Sequence, residues 1–180
     1  MTSKTLYSCT MSLDGFMAGP EGDMQWLTRH LGPNPVAEAI VPQIGALLVG
    51  RRTFDGDDPH RGTDQEGAFG GQWHGPSFVL THTPPDASPT DTTFVTALES
   101  GVAAAREAAG GRYVNLLGAD VGRQCLAAGL CDEILVLVAP VLLGDGTRLF
   151  EWAGGHSVDL RMREFSQAGG TANLWYDVLP

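Results

Sequence analysis

The chain has 180 residues, with 11 Lys and Arg against 21 Asp and Glu, a formal net charge of −10. Hydrophobic residues make up 43% and charged residues 18%, which excludes a disordered chain and suits one ordinary domain with a real core. The acidic balance disfavours a general binder of nucleic acid or anionic membrane, and the longest apolar stretch, Ile134 to Leu143, is too short to cross a bilayer and contains Pro140.

Lys4 to Met11 has strand composition, and Ser12 to Asp23 is a run of Gly and turn residues. Asn34-Pro35 reads as a helix cap followed by a first-turn proline, with Val36, Ile40 and Ile44 at helical spacing, Pro42 as a kink and Gly45 as the stop. Ala46 to Val49 is a short strand that runs directly into Gly50-Arg51-Arg52-Thr53, and 55–75 is a long aperiodic loop. Ser77 to Thr81 is the next strand and Thr93 to Thr96 a short extended piece. Thr96 with Glu99 forms a capping-box signature for a helix that Gly110-Gly111 closes. Tyr113 to Leu117 is a strand, Gly118 a sharp turn, and Ala119 to Ala128 a second helix ended by Gly129. Ile134 to Ala139 is apolar throughout, as a strand covered on both faces would be. Leu160 to Ser166 and Ala172 to Leu179 alternate and predict a hairpin turned at Gly169-Gly170. Strands alternating with helices predict an α/β fold: a mostly parallel sheet with helices on both faces and an antiparallel edge, in a single domain over 1–180.

Several chemistries are excluded by absence. No GxGxxG, GxxxxGK, GxSxG or HExxH occurs, and Lys4 is the sole lysine, which argues against a P-loop NTPase or a Schiff-base enzyme. Cys9, Cys125 and Cys131 form no CxxC pair, so no disulfide framework is expected, and Cys125 and Cys131 read as small buried hydrophobes. The N-terminus lacks a basic start and an apolar run, so a cytoplasmic protein is expected. His60, His74, Asp57 and Asp58 share one loop and could meet a metal, although such loops are commonly only solvated, and no metal site is expected.

Three strand-to-loop junctions carry the remaining signal: Gly50-Arg51-Arg52-Thr53, Thr81-His82, and Gly118-Ala119-Asp120-Val121. Glycine after a strand lets a ligand approach the backbone, a helix start offers free N–H groups, and an arginine pair supplies local positive charge. In open α/β sheets ligands bind beyond the carboxyl ends of strands, so the three junctions together could hold a dinucleotide. Asp14, followed by Gly15, is the best-placed carboxylate, and a turn-forming role fits it as well as a catalytic one.

Taken in order, TMSLDGFMAGPEGDMQWL, ALLVGRRTF, SFVLTHTPP and LLGADVGRQCLAAGLCDEILVLVAPVLLGDGTRLF resemble the dihydrofolate-reductase-like family, related to the reductase half of the riboflavin-biosynthesis deaminase-reductase. The resemblance implies a central sheet of about eight strands, NADPH as hydride donor and a homodimer. It implies cofactor contacts at Gly50, Arg51, Arg52, Thr53, Thr81, His82, Gly118, Ala119, Asp120 and Val121, with Asp14 as the catalytic candidate and Gly15 and Trp26 beside the substrate. Two features depart from the family. Leu117 stands where members usually carry a first glycine, and Asn34 and Glu38 stand near the place of the folate reductases' acid, which disfavours folate reduction. No deaminase zinc signature is present.

The expected function is an NADPH-dependent reductase of a small polar C=O or C=N substrate. A binding protein on the same fold without turnover, and a flavin or deazaflavin user, are left open. A dimer contact is expected on the apolar run from Ile134 past Pro140.

Overall fold

In the computed structural model, which describes residues 2–56, 58 and 60–180, the apolar runs become the interior of one eight-stranded sheet. Its strands are β1 (Thr5–Ser12), β3 (Ile44–Gly50), β4 (Ser77–Leu80), β5 (Thr92–Val95), β6 (Tyr113–Leu117), β7 (Glu133–Ala139), β9 (Leu160–Ala168) and β10 (Thr171–Val178). The order is β5-β4-β3-β6-β1-β7-β10-β9; the first six strands are parallel, and β10 and β9 are antiparallel. Two short strands, β2 (Phe16–Ala18) and β8 (Thr147–Arg148), pair with each other outside the main sheet. The helices are α1 (Pro35–Ile40), α2 (Arg51–Phe54), α3 (Leu98–Ala109) and α4 (Ala119–Ala127). None is long and apolar enough to cross a membrane among the described residues.

Each face of the sheet has its own cluster. Tyr7, Leu48, Val114, Leu116, Ile134 and Val136 pack on the side of α3 and α4, where Val102, Ala105, Val121 and Cys125 meet them. Leu6 and Leu135 pack with Ile40 of α1 on the other side, and Leu47 and Val49 with Phe69 and Trp73 of the long loop. At the strands' N-terminal edge, buried Glu133 accepts from Lys4 Nζ (2.8 Å), Arg163 (2.5 Å), the Tyr113 hydroxyl (2.9 Å) and Trp175 Nε1 (3.0 Å). A carboxylate out of water needs such partners, and these four tie β1, β6, β9 and β10 to β7.

Three local expectations are corrected. The helix after Asn34 ends at Ile40 and a 3₁₀ turn, Val41–Gln43, follows, because Pro42 cannot continue the ladder. Ile44 and Gly45 already belong to β3; a Cβ at Gly45 would lie 2.3 Å from the Ala109 carbonyl oxygen, so this glycine serves close approach and not helix termination. The cap of α3 is Ala97 with no side-chain bond, because the helix starts one residue too late for Thr96 and Glu99 to close a box. The run Ile134 to Ala139 forms β7, an interior strand between β1 and β10, and past Pro140 it continues to Leu142, which is 68% exposed.

Apolar exposure lies on the edge strand as well. A bulge at Arg163 breaks the alternation of β9, so that Phe165, Met162 and Leu160 stand opposite Leu174, Tyr176 and Val178 on one face. Phe165 is 65% exposed and Met162 48%.

Helix α4 lies closest to β1 at Gly122. A Cβ at Gly122 would come within 2.3 Å of the ring of Tyr7, which is fully buried and cannot retreat. Gly122→Ala is therefore expected to cost about 1–3 kcal/mol, read as a lower urea midpoint at unchanged m-value.

Candidate active site

The six parallel strands end along one edge, and the chain reverses there about β1: the next sheet strand, β3, lies to one side and β7 to the other. The ladder between β1 and β6 stops at Tyr7–Leu116, whereas β1 stays paired with β7 as far as Ser12–Ala139. Past Tyr7 the two strands part, leaving a fork between β1 and the turn after β6. A crevice at such a switch point is where α/β sheets take ligands.

Two of the three junctions meet beside this fork. Gly118 has φ +106°, and a Cβ there would lie 2.5 Å from the Thr53 hydroxyl oxygen and 3.8 Å from the Gly50 nitrogen. Gly50 in turn faces Val121, whose Cγ2 would be 3.3 Å from an added Cβ. The turns after β3 and β6 thus interlock through glycines, with Thr53 and Val121 as the filling. No side chain caps the first turn of α4, so its N–H groups of Ala119, Asp120 and Val121 are open to an acceptor. Asp120 is held by Arg123 and by Gln124 (2.7 Å), within its own helix.

The arginine pair divides. Arg51 binds Asp55 at 2.5 Å and lies 5.6 Å over the Phe94 ring, while Arg52 is exposed and has no ion pair among the described residues. Thr81, buried, accepts from the Thr83 N–H at 3.2 Å and closes the turn after β4; His82 next to it faces solvent. β3 and β4 end side by side, Gly50 opposite Leu80. A glycine cradle, an uncapped helix start and a free guanidinium fit the phosphates of a dinucleotide.

Asp14 holds the other wall. It accepts from the Ser12 hydroxyl (2.5 Å), the Leu143 N–H (3.1 Å) and the Gly144 N–H (2.7 Å), and the Ser12 bond first, then the two backbone donors, holds its carboxyl down at about 2. Ser12 Oγ also accepts from Phe16 N–H, and Gly15, at φ +90°, donates to Ser12 and accepts from Leu149. Arg148 reaches the Asp14 carbonyl and lies 4.5 Å over Phe16. The loops after β1 and β7 are therefore stapled to each other by a carboxylate that is ionised at neutral pH. Trp26 is buried in a 3₁₀ helix (Gln25–His30) beside His30, with its indole N–H unpartnered among the described residues.

Other candidates serve structure. Asn34 caps α1 through Val36 and Ala37 and exchanges amide bonds with Asn173, and Glu38 accepts from the Asn34 N–H. Burial pushes the Cys125 and Cys131 thiols up to about 12, so neither is a nucleophile. Asp58 accepts from His60 and Gly67 backbone N–H groups, Asp57 lies outside the described residues, and no metal-holding cluster occurs among the described ones. A concavity of about 670 Å³ lined by Ser3, Arg106 and Arg112 lies at the opposite edge, where the strands begin, away from all three junctions. We place the site at the fork, because the glycine turns and the open helix start are there.

Sequence reading missed Ser12, Arg148 and the β2–β8 pair. The S-x-D spacing of Ser12 and Asp14 was the available signal; Arg148 had none.

The model of the RibD C-terminal domain family matches residues 4–173. Among solved structures, a protein assigned to riboflavin biosynthesis from Shewanella sp. PV-4 superposes with a TM-score of 0.72 at 23% identity over 100% of both chains. The Thermotoga maritima diaminohydroxyphosphoribosylaminopyrimidine deaminase/5-amino-6-(5-phosphoribosylamino)uracil reductase gives 0.68 at 16%, with 99% of this chain covering 57% of that one. Dihydrofolate reductase from Enterococcus faecalis, complexed with NADP(H) and RAB-propyl, gives 0.63 at 17% over 99% of each chain. The fold is thus dihydrofolate-reductase-like, as the motifs implied. No curated protein matches.

The Asp14 staple has a pH signature. A carboxyl held below its ordinary 3.8 adds stability that is full above that value and is lost as the pH falls toward 2. Carboxyl-carbon NMR is expected to show the Asp14 midpoint near 2. In Asp14→Ala the Leu143 and Gly144 amides should exchange about tenfold faster or more.

Proposed function

Because the chain belongs to the RibD C-terminal domain family, we propose that it is an NADPH-dependent reductase that transfers hydride to a small polar C=O or C=N compound. The observation that carries this reading is the interlock of Gly50 and Gly118 beside the uncapped start of α4, with exposed Arg52, which has no ion pair among the described residues, close by in α2. NADPH, when bound, supplies the hydride.

The chain's own residues hold and orient. Gly50, Thr53, Gly118 and the N–H groups of Ala119, Asp120 and Val121 cradle the diphosphate. Arg52 takes the 2′-phosphate, and Thr81 and His82 border it; Arg51, already committed to Asp55 and Phe94, shapes that rim. Asp14 acts as a positioning residue, fixing the loops that exclude water from the fork. With its carboxyl ionised at neutral pH, it has no proton to give, so protonation of the substrate comes from solvent. Gly15 and Trp26 border the substrate on the same side.

The lack of a proton to donate at Asp14 also favours the second reading, a small-molecule-binding protein on this fold that binds without turnover. Cytoplasmic residence goes with either.

Calorimetric titration tests the cofactor. The net charge of −10 repels a dinucleotide, so affinity rests on local cations. A charge-assisted bond contributes roughly 1.5–3 kcal/mol, about ten- to a hundredfold in affinity. Arg52→Ala is expected to weaken NADPH by that factor and NADH hardly at all; equal loss for both would assign Arg52 to the diphosphate, and no loss would remove it.

We further propose a homodimer that covers Leu160, Met162 and Phe165 with the same residues of a second copy, since an apolar sheet face on an edge strand is an association surface. Light scattering should report twice the mass of one chain at roughly tens of micromolar, and Phe165→Glu should return the single-chain mass. A single-chain mass for the unaltered protein would refute the dimer.

A further inference from the structure

We propose that Asn115 binds the carboxamide of the nicotinamide ring, donating from Nδ2 to its oxygen, an inference that rests on the NADPH reading above. Asn115 lies mid-strand in YVNLL between Val114 and Leu116, and it is fully buried. Its Oδ1 accepts the Ser8 hydroxyl at 2.6 Å, and its Nδ2 has no partner among the described residues. A buried amide with two idle N–H donors is costly to keep, whereas an apolar residue at that place would join the leucines around it. The idle donors call for an acceptor that the described residues do not supply.

The position says where that acceptor sits. Asn115 stands opposite Leu6 on β1, yet its side chain reaches Ser8, two residues further along. It therefore leans toward the C-terminal edge, to the level where β1 and β6 part. Ser8 is the first residue of β1 beyond the ladder with β6. On β6 itself, Gly118 of the cradle follows three residues after Asn115. The Ser8 bond occupies Oδ1 and so fixes the amide with its donors turned away from Ser8.

The chemistry fits a neutral ring substituent. A carboxamide oxygen accepts from a neutral N–H₂ without any ionic contribution. A lysine or carboxylate at this place would impose a charge on a ring whose own charge changes by one during hydride transfer.

The test separates the ring from the rest of the cofactor. NADPH and 2′-phospho-ADP-ribose, which lacks nicotinamide, are titrated calorimetrically into the full chain, into Asn115→Leu, and into Ser8→Ala, which keeps the amide but releases its orientation. Asn115→Ala replaces the leucine variant if leucine overfills the site. The expected result is that the Asn115 variant weakens NADPH about tenfold, Ser8→Ala by about two- to fivefold, and neither changes the analogue beyond about twofold. Equal losses for both compounds, or no loss for either, overturn the assignment of Asn115 while leaving cofactor binding intact. An unaltered protein that binds neither compound overturns the cofactor reading itself, and the assignment with it.

Discussion

Helix α4 can begin beside the fork only because residue 122 has no side chain. Tyr7 occupies the centre of the sheet with no exposure, and its ring lies where a Cβ on Gly122 would be. That contact sets how closely α4 lies on β1, and the first turn of α4 sets the place of Gly118. Gly118 then receives Thr53, and Gly50 receives Val121. The turns after β3 and β6 are thus a consequence of packing under α4, and the open N–H groups point to the sheet edge because the helix is seated there.

The two edges of the sheet divide the electrostatics. Where the strands begin, Glu133 gathers Lys4, Arg163, Tyr113 and Trp175 and fixes β9 and β10 to the parallel strands. Where they end, charge is mostly spent locally: Asp14 on its neighbouring loops, Asp120 on α4, Arg51 on Asp55. Among the described residues, Arg52, the first turn of α4 and the Asn115 amide are left without protein partners near the fork. In a protein of net charge −10, such a residue of positive potential is what gives an anionic ligand somewhere to go.

Much of this was legible in the sequence. Hydrophobic runs, glycine turns and the Asn34-Pro35 cap gave the sheet, its two interior helices and the C-terminal hairpin within a residue or two. The three glycine and hydroxyl junctions did come together at one edge. What failed had local causes. Pro42 cut short a helical pattern that Ile44 extended on paper, and Gly45 was needed by α3 and not by the chain's own turn. A single bulge at Arg163 put Met162 and Phe165 on one face, which strict alternation assigns to two. Asp14 was a candidate by spacing alone, which does not reveal that Leu143 and Gly144, far along the chain, donate to its carboxylate. Arg148 and Asn115 depend on pairings between distant segments, which one-dimensional patterns do not carry.

The central claim is that a dinucleotide's phosphates lie on the turns after β3 and β6. Backbone amide NMR of the ¹⁵N-labelled chain on addition of NADPH tests it most directly. The account predicts the largest shifts at Gly50 to Thr53 and at Gly118 to Val121, with smaller ones at Thr81 and His82. Shifts confined to the opposite edge, around Ser3, Arg106 and Arg112, or no shifts at saturating cofactor, would contradict it.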